Sequence, residues 1–218
     1  YGLAANKYIN MLGTAFTPIA DYGTSTSLIF RGTINGNNCS LVDFVVNATS
    51  ARSALIGTLG DSGKIGNLNI GCANASEQSS VTSTKSDSAA FVGFLNDSSA
   101  VVENCSSYAT ISGTYQNGGI VANIGSNGGT IRNCHNYGAV SGTYSIGGIV
   151  GIVQGANGKV ENCVNSGPVS GAGNDIGGIV GNMKAGTLKG SISNNGNVTS
   201  NRTASYGDVA YSIISSRS

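Results

Sequence analysis

The chain of 218 residues has no tryptophan, two prolines and one histidine, and only 10% of its residues are charged. Each shortage removes a class of protein. A formal charge of +1 leaves no electrostatic footprint for nucleic acid or an anionic membrane surface. No apolar run approaches the roughly 18 to 20 residues of a membrane helix, so no membrane span is expected in this chain. His135 stands alone and the five cysteines are widely spaced. There is no C-x-x-C pair and no tetrahedral donor set, so neither a metal nor a cofactor is expected. No window of useful length has helical periodicity. The first residue is Tyr1 and no signal peptide is visible, from which a mature or excised piece of a longer precursor is expected.

What the chain does have is glycine, 34 in all, with 39% hydrophobic residues. Glycine without proline does not suit collagen, and the apolar share is too high for a disordered segment. An odd number of cysteines leaves at least one unpaired within the chain. Cys105, Cys134 and Cys163 stand 29 residues apart, which marks a repeat and not a disulfide framework. Three segments align: "VENCSSYATISGTYQNGGIVA" from Val102, "IRNCHNYGAVSGTYSIGGIVG" from Ile131 and "VENCVNSGPVSGAGNDIGGIVG" from Val160. A weaker copy runs from Ser191, with Ile192 in the cysteine place. Longer copies lie upstream, where Leu68 and Phe44 are expected to fill that position.

Each repeat contains three β-prone pieces separated by glycine, asparagine and serine. Three short strands in about 29 residues make one coil of a parallel β-helix, with coils about 4.8 Å apart. The expected fold class is therefore all-β, a right-handed parallel β-helix. Residues 1–30 are expected to form an N-terminal cap or irregular first coil, and 31–218 the coils. Regular repeats fall at 102–130, 131–159 and 160–188, and the weaker copy at 189–218. Equivalent residues then stack as ladders. Asn104, Asn133 and Asn162 turn a corner and bond between coils, while Cys105, Cys134, Cys163 and Ile192 point inward as small apolar fillers. The thiols are expected to be reduced. Ile120, Ile149, Ile179 and Val209 form an apolar ladder. Glu103, Arg132 and Glu161 place alternating charges on one outward position.

With these motifs in view, the sequence resembles the GLUG-motif repeat proteins of large bacterial surface proteins, including adhesin-like proteins and some immunoglobulin-A proteases. The resemblance rests on "GGIVG" and the related "ALIG" and "FVGF", each after an "xENC" or "xxNL" strand, and on "FTPIADYGTSTSLIFRGTINGNNCSLVDF". That last segment is similar to the family's opening, with Phe16 in place of its tryptophan and "GTINGNN" in place of an acidic stretch. It implies a β-helix, secretion, surface display and membership of a larger polypeptide. Fold alone does not fix an activity.

Three chemistries have some foothold in these residues. "SIGGIVG" at 145–151 could cradle phosphate, but the pattern recurs without a following helix, so tight corners and close coil approach explain its glycines better. His135 next to an inward cysteine is expected to be a solvated strand residue. A glycan-cleaving site needs paired acids, and Asp43, Asp61, Asp87, Asp97, Asp175 and Asp208 read as falling at different phases of the repeat. Binding has more to support it. Tyr108 and Tyr137, and Tyr115 and Tyr144, are expected to stack as two aromatic ladders that hold sugar or protein, or simply cover corners. Seven N-x-S/T sequons, at Asn38, Asn47, Asn74, Asn96, Asn104, Asn197 and Asn201, are close to the number chance gives among 25 asparagines. The expected function is a non-enzymatic extracellular stalk or adhesion module, with a host or cell-surface protein or a glycan as partner. The alternatives are a filament subunit that self-associates through its coil ends, and a glycan-binding or glycan-cleaving β-helix.

Overall fold

The computed structural model describes residues 8–13, 15–20, 28–73, 78–200 and 213–217. Among them no helix occurs, and none is long and apolar enough to cross a membrane. The strands pair in parallel throughout. One coil shows the plan. Val101–Glu103 and Ser106–Ser107 lie on a first sheet, Thr110–Ser112 on a second, Tyr115–Gly118 on a third and Val121–Ile124 on a fourth. Gly129–Arg132 then returns beside Val101–Glu103, with Ile131 opposite Val102. The second and fourth sheets each hold six strands, so the chain is a parallel β-solenoid of six turns. In the regular part, equivalent residues stand 29 apart.

The three β-prone pieces expected per coil are present, but two are divided. Asn104 splits the first, because its backbone is left-handed at φ 52°. Asparagine tolerates that region better than other residues with a Cβ. Asn67, Asn133 and Asn162 repeat it at φ 53°, 53° and 50°. The piece around "GGIVG" is split at its glycine pair, with Tyr115–Gly118 before the corner and Val121–Ile124 after it.

Glycine is required here by contact. A methyl on Gly118 would overlap the Val121 carbonyl. A methyl on Gly148 would overlap both the Gly178 carbonyl of the next coil and the Asn165 side chain. One on Gly151 would sit 2.7 Å from the Ser145 carbonyl, inside van der Waals contact.

The core is a column of inward ladders. Ile111, Val140 and Val169 line the second sheet, and Val121 and Val150 the fourth, all buried. Ile120, Ile149 and Ile179 are also fully buried, and each N–H donates to the isoleucine carbonyl one coil on, at 3.1, 3.0 and 3.0 Å. The last of these acceptors is Ile213, so the next rung is Ile213 and not Val209, which lies outside the described residues. A second correction concerns the cysteine position. Cys39 pairs opposite Leu68, so Cys39 and not Phe44 fills that place; Phe44 precedes the second-sheet strand Val45–Ala48. The sequence gap from Cys39 to Leu68 matches the repeat, but the bulge between Asn35 and Cys39 hides the preceding register.

The described residues before Arg31 stack on the coil that follows them. Tyr8–Asn10 pairs with Ser40–Val42, and Ala15, Ile19 and Phe30 bridge to Val45, Ile56 and Leu59. The weaker copy is described through Val198–Ser200 and again at Ile214–Arg217, which pairs with Val180–Met183.

Candidate functional site

Successive coils put four kinds of column on the molecule. The outermost is a polar ladder on the first sheet. Asn67 Nδ2 donates to Asn35 Oδ1, Asn104 to Asn67, Asn133 to Asn104 and Asn162 to Asn133, at 3.2, 3.2, 3.2 and 3.3 Å. The chain continues as Ser191 N–H donates to Asn162 Oδ1 at 3.0 Å. Because these amides are exposed, water competes for each bond and the gain per rung is small.

A second asparagine ladder, which sequence reasoning missed, runs inside. Asn136 and Asn165 are fully buried. Asn136 Nδ2 donates to Asn165 Oδ1 at 2.8 Å and Asn165 Nδ2 to Asn194 Oδ1 at 2.7 Å. Each amide also donates to the carbonyl two residues ahead, on Gly138, Gly167 and Gly196, at 2.8 Å in every case. The signal was the recurrent N-x-G in "NYG", "NSG" and "NNG". At the other end Ser107 occupies the rung, and both Ser107 Oγ and Asn136 Oδ1 are buried without a partner.

Cys105, Cys134 and Cys163 form the third column, buried and unbridged. Each Sγ contacts the carbonyl two residues back at 3.2 Å, and burial pushes the Cys134 thiol pKa well up. A thiol held neutral in an apolar interior is a poor nucleophile. Ile192 takes the next rung, half-buried against the core.

The aromatic columns flank the second sheet. Tyr108 and Tyr137 stack with centroids 4.5 Å apart and planes at 6°, and Tyr115 and Tyr144 at 5.3 Å and 10°. His135 is not simply solvated. Its ring lies 3.7 Å from Tyr137, its Nε2 is 2.8 Å from Ser166 Oγ, and partial burial lowers its pKa. The imidazole thus fills the space above Tyr137 where the next coil has only a serine. Tyr108 has a raised pKa through burial first and the neighbouring Tyr137 second. Tyr115, Tyr137 and Tyr144 are 48%, 41% and 40% exposed. Between the columns, the six strands of the second sheet carry no charged side chain, and Thr82, Ser112, Ser141, Ser170 and Thr199 succeed one another in register. Because the rings face one another along the axis, the columns offer edges and hydroxyls more than open ring faces.

The acids are not all out of phase, which corrects the sequence reading. Asp87 and Asp175 share one left-handed corner with Gln116 and Ser145, at φ 64°, 64°, 57° and 55°. Three coils separate the two carboxyls, about 14 Å, beyond the reach of a hydrolytic acid pair. Asp61 and Asp97 occupy neighbouring turns, where Ser62 N–H donates to Asp97 Oδ1 at 3.3 Å and Arg31 pairs with Asp61. Asp97 also accepts from Ser99 N–H at 2.9 Å, so both carboxylates serve local turn and ion-pair contacts. Asp43 accepts from Gln78 N–H at 3.3 Å, and Asp208 lies outside the described residues. Asp87 stands out among the described acids. Burial raises its pKa from 3.8 to about 6, opposed by a hydrogen bond from Asn123 and by Arg52. On the first sheet Arg132 stands opposite Glu103 and Glu161, and its Nε bonds Glu103 at 2.7 Å. Among the described residues no three His, Cys, Asp or Glu side chains gather as a metal site. Sequons Asn74 and Asn201 lie outside the described residues, while Asn38, Asn47 and Asn197 are exposed.

No family model matches the chain. A stretch of 117 residues, 53% of the chain, is 31% identical to halomucin of Haloquadratum walsbyi (strain DSM 16790 / HBSQ001) and spans 1% of that protein. Among solved structures, a protein from Bacteroides ovatus described as a putative immunoglobulin A1 protease shares the fold. The TM-score is 0.73 at 22% identity, over 91% of this chain and 62% of that one. The molecule is thus an all-β parallel solenoid similar to parts of larger proteins.

Proposed function

We propose that the chain is a non-enzymatic extracellular module, a stiff spacer and adhesion surface within a larger surface or secreted protein. The observation that carries this reading is the continuity of the ladders, outside and inside, over successive coils. Ladders of this kind make a rod whose side chains recur at about 4.8 Å, which suits repetitive display. The likenesses to halomucin and to the Bacteroides protein support a surface or secreted setting. The uncharged second sheet with its tyrosine borders is the face we assign to contact with a partner, a cell-surface protein or a glycan. Beads carrying the chain should attach to cells or to immobilised glycans, and a Tyr115→Ser/Tyr137→Ser/Tyr144→Ser variant should detach with its circular dichroism unchanged. Equal attachment by the variant removes the tyrosine face from the proposal, and no attachment by either removes adhesion.

A filament subunit is the second reading. Tyr8, Ile9, Leu12, Ile19 and Leu28, all before Arg31, are exposed apolar residues. An apolar cavity of about 370 Å³ lies against Ile9, lined also by Ile34, Cys39, Leu41, Leu55 and Leu68 among others. Coil edges of this kind template further β-pairing. Light scattering from the purified chain decides: a monodisperse monomer at high concentration excludes the filament.

A further inference from the structure

The backbone holds Tyr115 and Tyr144 in direct register on the third sheet, and Tyr144 N–H donates to the Thr114 carbonyl at 3.2 Å. Coil pairing therefore keeps their Cα atoms one coil spacing apart. The centroids are 5.3 Å apart, the planes differ by 10°, and both phenols are open to solvent at 48% and 40%. Two exposed phenols fixed one above the other are placed for radical coupling. We propose that Tyr115 and Tyr144 form an oxidative cross-linking site, joined carbon to carbon by a one-electron oxidant such as a peroxidase with hydrogen peroxide.

Each phenol loses one electron and its hydroxyl proton. The two phenoxyl radicals then form a bond between ring carbons ortho to the hydroxyls. The hydrogens on those two carbons leave as the rings regain aromaticity, and the phenoxyl oxygens take up protons in return. The pair has lost two hydrogen atoms, and one hydrogen peroxide has accepted them to become two waters.

Proximity selects this partner. A ring held within one coil spacing has an effective concentration orders of magnitude above micromolar protein, so coupling within one molecule outruns coupling between molecules. Tyr8 makes the contrast: it is 59% exposed, yet among the described residues it stacks on no other ring. Tyr108 and Tyr137 are nearer, at 4.5 Å, but Tyr108 is half-buried and the His135 ring stacks on one face of Tyr137. The product is a covalent staple between adjacent coils that are otherwise held by non-covalent contacts. It does not depend on the adhesion reading.

The test treats the full chain at micromolar concentration with a peroxidase and limiting hydrogen peroxide, then maps peptides of the monomer band by mass spectrometry. The expected product is one pair of peptides joined at Tyr115 and Tyr144, lighter by two hydrogen atoms and showing dityrosine fluorescence. Tyr144→Phe keeps the stacked ring and should lose that product entirely. A monomer without the Tyr115–Tyr144 product, or dityrosine confined to dimers, overturns the proposal.

Discussion

Replacing Asn165 with alanine should separate the inner ladder from the outer one. The Asn165 amide donates to Gly167 O at 2.8 Å and to Asn194 Oδ1 at 2.7 Å, and its Oδ1 accepts from Asn136 at 2.8 Å. The side chain is fully buried. Alanine leaves two acceptors and one amide hydrogen without partners, each costing roughly 1 to 3 kcal/mol when buried. Partial relaxation and entry of a water reduce that sum, so a loss of about 3 to 5 kcal/mol is expected. Asn133→Gly is the comparison. It removes two exposed amide bonds of 3.2 and 3.3 Å but keeps a residue suited to φ 53°, so its loss should stay below about 1 kcal/mol. Urea unfolding followed by far-UV circular dichroism measures both. Equal losses, or a loss under about 1 kcal/mol for Asn165→Ala, would refute the claim that burial makes the inner ladder the stronger one.

Three further outcomes follow from the same contacts. Ser107→Asn alone should destabilise by about 1 to 3 kcal/mol, because Ala90 stands where the asparagine coils have Gly119 and Gly148. Combined with Ala90→Gly it should extend the ladder to Asn136 Oδ1 and recover that loss, a non-additivity readable in a double-mutant cycle. Gly148→Ala should cost about 3 kcal/mol in urea unfolding through overlap with the Gly178 carbonyl and Asn165. Asp87 makes stability pH-dependent. Its folded pKa of about 6 lies above the unfolded 3.8, so its contribution is fully present below pH 3.8 and lost as pH rises through 6. The span corresponds to about 3 kcal/mol at most, and Asp87→Asn should abolish that part of the pH dependence while raising stability at pH 7.

The coil was legible because its signals recur. A cysteine, an asparagine and a glycine pair returning at fixed spacing can only stack, and they define strands, corners and inward faces together. What was not legible depended on insertions and on contacts between coils. The bulge at Asn35–Cys39 concealed Cys39 as the earlier rung, and the longer last coil displaced the isoleucine ladder to Ile213. The inner asparagines looked like turn residues, because N-x-G is also turn chemistry; only burial distinguishes them. Asp87 and Asp175 read as unrelated because Gln116 and Ser145, which share their left-handed corner, are chemically unlike them. The tyrosines were readable as columns, but not that His135 would close one of them.

The central claim is that this solenoid holds a partner and does not transform it. The most direct measurement incubates the purified chain with cell-surface proteins and with acidic and neutral polysaccharides, and follows retention and product release together. Retention of at least one partner, with no new fragment or reducing end over the blank, is the predicted result. Cleavage of any of them that persists after repurification of the chain would contradict the account.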